Sequence, residues 1–149
     1  MKVKRMLPPV YLFLSIVIMI ILHFVFPLMR IIVFPLNLIG TLPFGLGIVI
    51  NLTADTTFKK YNTTVKPFEK PTTLVTSGVF RFSRHPMYLG FVLVLAGIAI
   101  LMGSLTPFLV IIAFAILIDT IFIRAEEEML EQTFGDAWLK YKGKVRRWI

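Results

Sequence analysis

Residues 84 to 102 read Arg84-His85-Pro86-Met87-Tyr88-Leu89-Gly90-Phe91-Val92-Leu93-Val94-Leu95-Ala96-Gly97-Ile98-Ala99-Ile100-Leu101-Met102. A cationic, proton-exchanging pair thus leads straight into an apolar helix-length run. Charged and titratable groups at a membrane boundary are costly to place, so such a cluster is a site hypothesis by default. Pro86 suits the first turn of a helix, where its missing N–H would have no partner. Arg84 and His85 then sit beside the free N–H groups of a helix start, a position suited to anions. Tyr88 adds a hydroxyl and an aromatic face, and Gly90, one turn on, lets a ligand or another backbone approach closely. The competing reading is an interfacial anchor with Arg and Tyr at headgroup level.

Working outward, 57% of the 149 residues are hydrophobic and 16% charged, and the mean hydropathy is +0.84. That composition excludes an ordinary soluble domain. About 20 apolar residues span the hydrocarbon core as helix. Four runs qualify or nearly so: Val10 to Phe26, Phe34 to Leu52, Met87 to Met102 and Phe108 to Ile123. The expected fold is an all-α integral membrane protein with about four transmembrane helices, a cytoplasmic loop and a C-terminal amphipathic helix. Residues 1–52 carry two transmembrane segments, 53–85 the loop, 86–123 a transmembrane hairpin and 124–149 the C-terminal helices. The first segment follows Lys2, Lys4 and Arg5 and reads as a retained anchor rather than a cleaved signal.

Of the 16 Lys and Arg residues, only Arg30 falls between segments one and two, and the Gly103-Ser104-Leu105-Thr106 connection has none. The others lie in both tails and the central loop, which the positive-inside rule assigns to the cytoplasm, with both termini there. The net charge of +8 therefore needs no nucleic acid. Anionic lipid headgroups are a sufficient partner, contacted by Lys140, Lys142, Lys144, Arg146 and Arg147. With no Cys and two distant His residues, no metal site is expected. In segment two, Pro35, Gly40, Pro43, Gly45 and Gly47 point to a kinked, closely packed helix or to a broken one lining a cavity.

After segment four the pattern becomes Arg124-Ala125-Glu126-Glu127-Glu128-Met129-Leu130-Glu131-Gln132-Thr133-Phe134. Ala125, Met129, Leu130 and Phe134 share an apolar face while Arg124, Glu127 and Glu131 line another. Gly135 reads as a helix stop and Asp136 as the cap of a short helix through Tyr141. The carboxylates would then stand at the height of Arg84 and His85. Three successive Glu also describe a plain solvated face. At about 100° per residue, they cannot all face one pocket.

The two blocks together, Gly78-Val79-Phe80-Arg81-Phe82-Ser83-Arg84-His85-Pro86-Met87-Tyr88-Leu89-Gly90 and, after the hairpin, Arg124-Ala125-Glu126-Glu127 with Phe134-Gly135-Asp136-Ala137-Trp138-Leu139-Lys140-Tyr141, resemble the isoprenylcysteine carboxyl methyltransferase and phospholipid methyltransferase superfamily. Thr63-Thr64-Val65-Lys66-Pro67 resembles a loop of its small bacterial members. The resemblance implies S-adenosylmethionine as cofactor, held by the C-terminal half, and a lipophilic acceptor arriving from the lipid. It implies cofactor-binding roles for Arg84, His85, Tyr88, Gly90, Glu126 and Glu127, and catalytic roles for Glu127 and for Arg124, whose planar fork suits an anionic group. Arg124 could instead pair with Glu128 at the i,i+4 spacing. Asp119 is either functional or an interfacial neighbour of Arg124, and His23 is a packing residue. Trp138, Tyr141 and Trp148 are expected to anchor the tail at the membrane surface. The alternatives are an NADPH-dependent membrane reductase of the sterol-reductase type, whose Arg-His-Pro-x-Tyr block is similar, and a noncatalytic membrane interaction protein.

Overall fold

The computed structural model describes residues 7–149; Lys2, Lys4 and Arg5 lie outside them. Six α-helices follow in order: α1 (Pro8–Val25), α2 (Thr41–Lys60), α3 (Pro86–Met102), α4 (Thr106–Ile118), α5 (Arg124–Phe134) and α6 (Asp136–Lys142). A 3-10 turn (Leu36–Gly40) leads into α2, a second (Gly78–Arg81) precedes α3, and a π turn (Asp119–Ile123) joins α4 to α5. Three stretches are long and apolar enough to cross a membrane: Pro8–Val25, Leu36–Lys60 and Thr106–Phe134. The helix α3 is also apolar but shorter. The chain is thus an all-helical integral membrane protein.

The hairpin of α3 and α4 forms as its sequence requires. Gly103 closes α3 in the left-handed region at φ 72°, where a Cβ would be strained; its own Cβ would also strike the Ile32 carbonyl. Backbone bonds from Ile31 and Ile32 to Gly103 and from Leu105 to Met29 tie this tip to the segment leaving α1. His23 completes the same seam, its Nδ1 standing 2.7 Å from the Ser104 hydroxyl.

Glycines decide how α2 meets α3. Gly47 lies on Gly90 and Gly40 on Gly97, so the two helices run antiparallel with the same seven-residue step on each. A Cβ on Gly90 would stand 2.8 Å from the Gly47 carbonyl oxygen, and one on Gly97 2.6 Å from that of Gly40. In lipid, association of apolar helices rests on close van der Waals contact rather than transfer from water, and paired small residues supply it. Met19, Leu95, Ala99, Ile118 and Phe122 fill the core between α1, α3 and α4, all fully enclosed. Phe13, Phe24, Leu42, Leu52, Leu109 and Ile112 point outward, as bilayer contact requires.

Three element boundaries differ from expectation. Residues 34–40 are not α-helical: the chain turns at a cis Phe34–Pro35 bond and winds as 3-10 before α2. The loop begins later than Thr53, because α2 runs on to Lys60. Thr53 and Thr57 hold that turn by donating to carbonyls four residues back, and Asp55 pairs with Lys59 at 2.6 Å. Gly135, at φ 52°, is the cap of α6, and Asp136 is its first residue.

Candidate functional site

The start of α3 and the polar end of the α4–α5 rod meet at His85. Its Nδ1 is 3.4 Å from Glu126 Oε2 and its Nε2 3.3 Å from Glu127 Oε1. Pro86 at the first helical position and His85 as cap residue fix this approach. Tyr88, one turn into α3, donates its hydroxyl to Glu126 Oε1 at 2.5 Å. Arg84 reaches Glu127 Oε1 at 2.9 Å through one terminal nitrogen. Burial alone would lower the His85 pKa, but the hydrogen bonds and negative charge of Glu126 and Glu127 outweigh it, and the net shift is upward. An imidazole flanked by two carboxylates satisfies both only when each nitrogen carries a proton.

The two glutamates have different positions. Glu126 lines a cavity of about 260 Å³ together with His85, Tyr88, Met129, Leu130 and Trp138, just below the ~300 Å³ at which typical small-molecule sites begin. The walls continue as Phe80, Phe91 and Tyr141, and residues 64–67 and 73–75 of the central loop cover one side. Leu7, Pro8 and Pro9 at the start of α1 close the apolar side. Glu127, 5% exposed, stands behind this wall. Besides Arg84 and His85 it accepts two bonds from Arg147, 3.2 Å from Nε to Oε1 and 2.7 Å from a terminal nitrogen to Oε2.

Arg84, His85, Tyr88, Glu126 and Glu127, all singled out from the sequence, therefore come together. Two others do not. Gly90 is occupied by helix packing: Asn51 and the Gly47 carbonyl fill the space beside it, so a ligand has no room there. Arg124 is turned away from the cavity; its side chain is 66% exposed and its Nε lies 3.4 Å from Asp119 Oδ2, in place of the alternative pairing with Glu128. The guanidinium that grips a carboxylate in two-pronged fashion is that of Arg147, which further reaches Asp119 at 3.1 Å.

Arg147 was placed among lipid-facing cations by its neighbours in sequence. The chain instead folds back: the Arg84 N–H donates to the Arg146 carbonyl and the Ser83 hydroxyl to that of Arg147. Trp148 packs on the main core, and this apolar residue straight after a cationic run was the available signal. Trp138 and Tyr141 are likewise buried in protein rather than set at a membrane surface. The Tyr141 hydroxyl donates to the Phe80 carbonyl at 2.6 Å, and the Arg84 guanidinium lies over the Trp138 ring at 5.7 Å. Among the described residues no group of His, Asp and Glu could hold a metal ion.

With the geometry in place, comparison with known proteins decides the family. A model of the phospholipid methyltransferase family matches residues 36–137. The chain belongs to this family. An uncharacterized protein of Haemophilus influenzae is 40% identical over 63 residues, 42% of this chain and the whole of that one. The protein-S-isoprenylcysteine O-methyltransferase of Schizosaccharomyces pombe is 35% identical over 75 residues, 48% of this chain and 30% of that enzyme. The solved structure of a eukaryotic intramembrane Ras methyltransferase, an isoprenylcysteine carboxyl methyltransferase, superposes with a TM-score of 0.68 at 28% identity over 95% of this chain. This chain spans about half the length of that structure. The phospholipid methyltransferase family match runs from the 3-10 turn before α2 to Ala137, so it takes in Arg84, His85, Tyr88, Glu126 and Glu127 and stops short of Trp138, Tyr141 and Arg147.

Proposed function

We propose that this chain transfers a methyl group from S-adenosylmethionine to a lipophilic acceptor at the membrane interface. Family membership favours methyl transfer over the reductase and noncatalytic alternatives. The observation that carries the reading further is one cavity bearing the Glu126, Tyr88 and His85 cluster at one wall and apolar groups of α1 and α3 at another. Its residues suit the cofactor: Glu126 can accept from an ammonium or ribose hydroxyl, Phe80 and Trp138 offer flat aromatic walls, and Met129 adds an adaptable apolar one. When bound, S-adenosylmethionine supplies an electrophilic methyl on a sulfonium whose charge is lost in the transfer. Alignment and exclusion of water then supply most of the rate, and the enclosing loop and aromatic walls serve both.

His85 is a positioning group in this scheme, since an imidazolium between two carboxylates is no base. An acceptor that must lose a proton would give it to Glu126; a carboxylate acceptor needs no such step. Labelled methyl transfer into a total lipid extract, with the product identified by mass, tests the activity and the accepting atom together. Glu126→Gln removes the cavity's carboxylate charge and is expected to weaken S-adenosylmethionine binding about tenfold, ~1.4 kcal/mol, and to lower Tm as His85 loses one of its two charged partners. Native affinity in that variant overturns the assignment of Glu126.

A further inference from the structure

Arg147 spends every nitrogen of its side chain on carboxylates. Its Nε lies 3.2 Å from Glu127 Oε1, one terminal nitrogen 2.7 Å from Glu127 Oε2, and the other 3.1 Å from Asp119 Oδ1. A guanidinium donates at fixed angles in one plane, so the plane of the Glu127 carboxylate is set from the far end of the chain. The tail delivers this fork on an anchored backbone: the carbonyls of Arg146 and Arg147 accept from Arg84 and Ser83, and Trp148 packs on the main core. Asp119 opens the π turn, so the same guanidinium ties the end of α4 to the start of α5.

From Glu127 the contacts pass to the cavity. Glu127 Oε1 faces His85 Nε2 at 3.3 Å, the other ring nitrogen faces Glu126 Oε2 at 3.4 Å, and Glu126 Oε1 takes the Tyr88 hydroxyl. His85, Tyr88 and Glu126 line the cavity, whereas Glu127 and Arg147 stand outside its described lining. Among the described residues, Glu127 Oε2 is held by Arg147 alone. Without the fork that carboxylate is free to turn, and the imidazole loses the fixed acceptor that sets its ring plane. We infer that Arg147 is a positioning residue for the reaction, holding Glu126 toward the cavity through Glu127 and His85. The inference rests on the methyl-transfer reading above and adds to it a part for the C-terminal tail. Lys cannot take this part, because an ammonium is a point charge and does not fix two carboxylate oxygens in one plane.

Arg147→Lys keeps the charge and the backbone bonds of the tail and removes the fork. Binding of S-adenosylmethionine would be measured by calorimetry in detergent on wild type, Arg147→Lys, Glu126→Gln and the double variant. The expected result is about a fivefold loss of affinity from Arg147→Lys, and no further loss when it is added to Glu126→Gln, because the two act as one unit. A merely structural role for Arg147 lowers the number of binding-competent molecules and leaves their Kd unchanged. Native Kd in Arg147→Lys, or an equal loss in both backgrounds, overturns the inference. Wild-type protein that does not bind S-adenosylmethionine overturns the methyl-transfer reading itself. If Arg147→Lys does not fold, Asp119→Asn loosens the same guanidinium from its other side. It is expected to weaken binding about threefold in wild type and not in Glu126→Gln; no loss, or the same loss in both, sinks the proposal.

Discussion

Replacing Arg147 by Ala tests whether the C-terminal tail is part of the site or merely lies against it. Glu127 takes four contacts: two from Arg147, one from Arg84 and one from His85. Hydrogen bonds to a charged partner contribute about 1.5–3 kcal/mol each. The Arg147 side chain is 34% exposed, so solvent screens it and the pair is discounted to roughly 2 kcal/mol in all. For a chain of this size that is a fall in Tm of about 4–8 °C. The tail itself stays in place, because its bonds to Ser83 and Arg84 use backbone carbonyls. Thermal unfolding in detergent of Arg147→Ala, Glu127→Gln and the double variant forms a cycle with an expected coupling of about 1–2 kcal/mol. Strict additivity, with Arg147→Ala melting within about 1 °C of wild type, refutes the reasoning.

Three further outcomes are expected. The raised His85 pKa makes its stabilisation complete below pH 6.5 and lost as pH climbs through the folded value; Tm should therefore fall on the alkaline side, and a Tm profile over pH that is unchanged in His85→Gln removes the imidazolium. Gly97→Ala, remote from the cavity, should cost about 1–3 kcal/mol and match Gly90→Ala in Tm, whereas a Gly90 variant of native stability that fails to bind cofactor would restore a ligand role to that glycine. A single Cys at Asn62, in this Cys-free chain, should react only from the cytoplasmic side of intact cells, and reaction from outside reverses the topology expected from the charge asymmetry.

The hairpin and the rod beyond it were legible because their signals are local: Pro86 at a helix start, the short Gly103-Ser104-Leu105-Thr106 connection, and an amphipathic stretch following an apolar one. His85, Glu126 and Glu127 were legible as types, but their division of labour was not, since 100° of helix rotation separates the lined cavity from the wall behind it. Gly90 was legible as a point of close approach by a ligand or another backbone, since a glycine advertises that approach without naming what makes it; Gly47, far away in sequence, is the backbone that approaches. Arg124 and Arg147 look alike in a sequence, and only the return of the tail over α5, a contact 20 residues apart, distinguishes them. Trp138 and Tyr141 suit a membrane surface and a protein interior equally well, because each joins an apolar body to a polar tip. The extension of α2 to Lys60 was hidden because a helix does not end where its apolar character ends.

The wide turn at Asp119–Ile123 sets the phase between the lipid-facing and polar portions of one long helix. A π turn holds a residue more than the α pitch would, so a single deletion within it is absorbed as the turn tightens to α pitch, whereas the same deletion in α4 swings everything beyond it by about 100°. After a deletion in α4, Glu126 would leave the cavity, Glu127 would lose the fork of Arg147, and the apolar staves Met129 and Leu130 would face water. Length in α4 is consequently far less negotiable than length in these five positions. The turn works as a keyed coupling on a shaft: torque from packing in the bilayer arrives at the polar end already indexed to the carboxylate that must face inward.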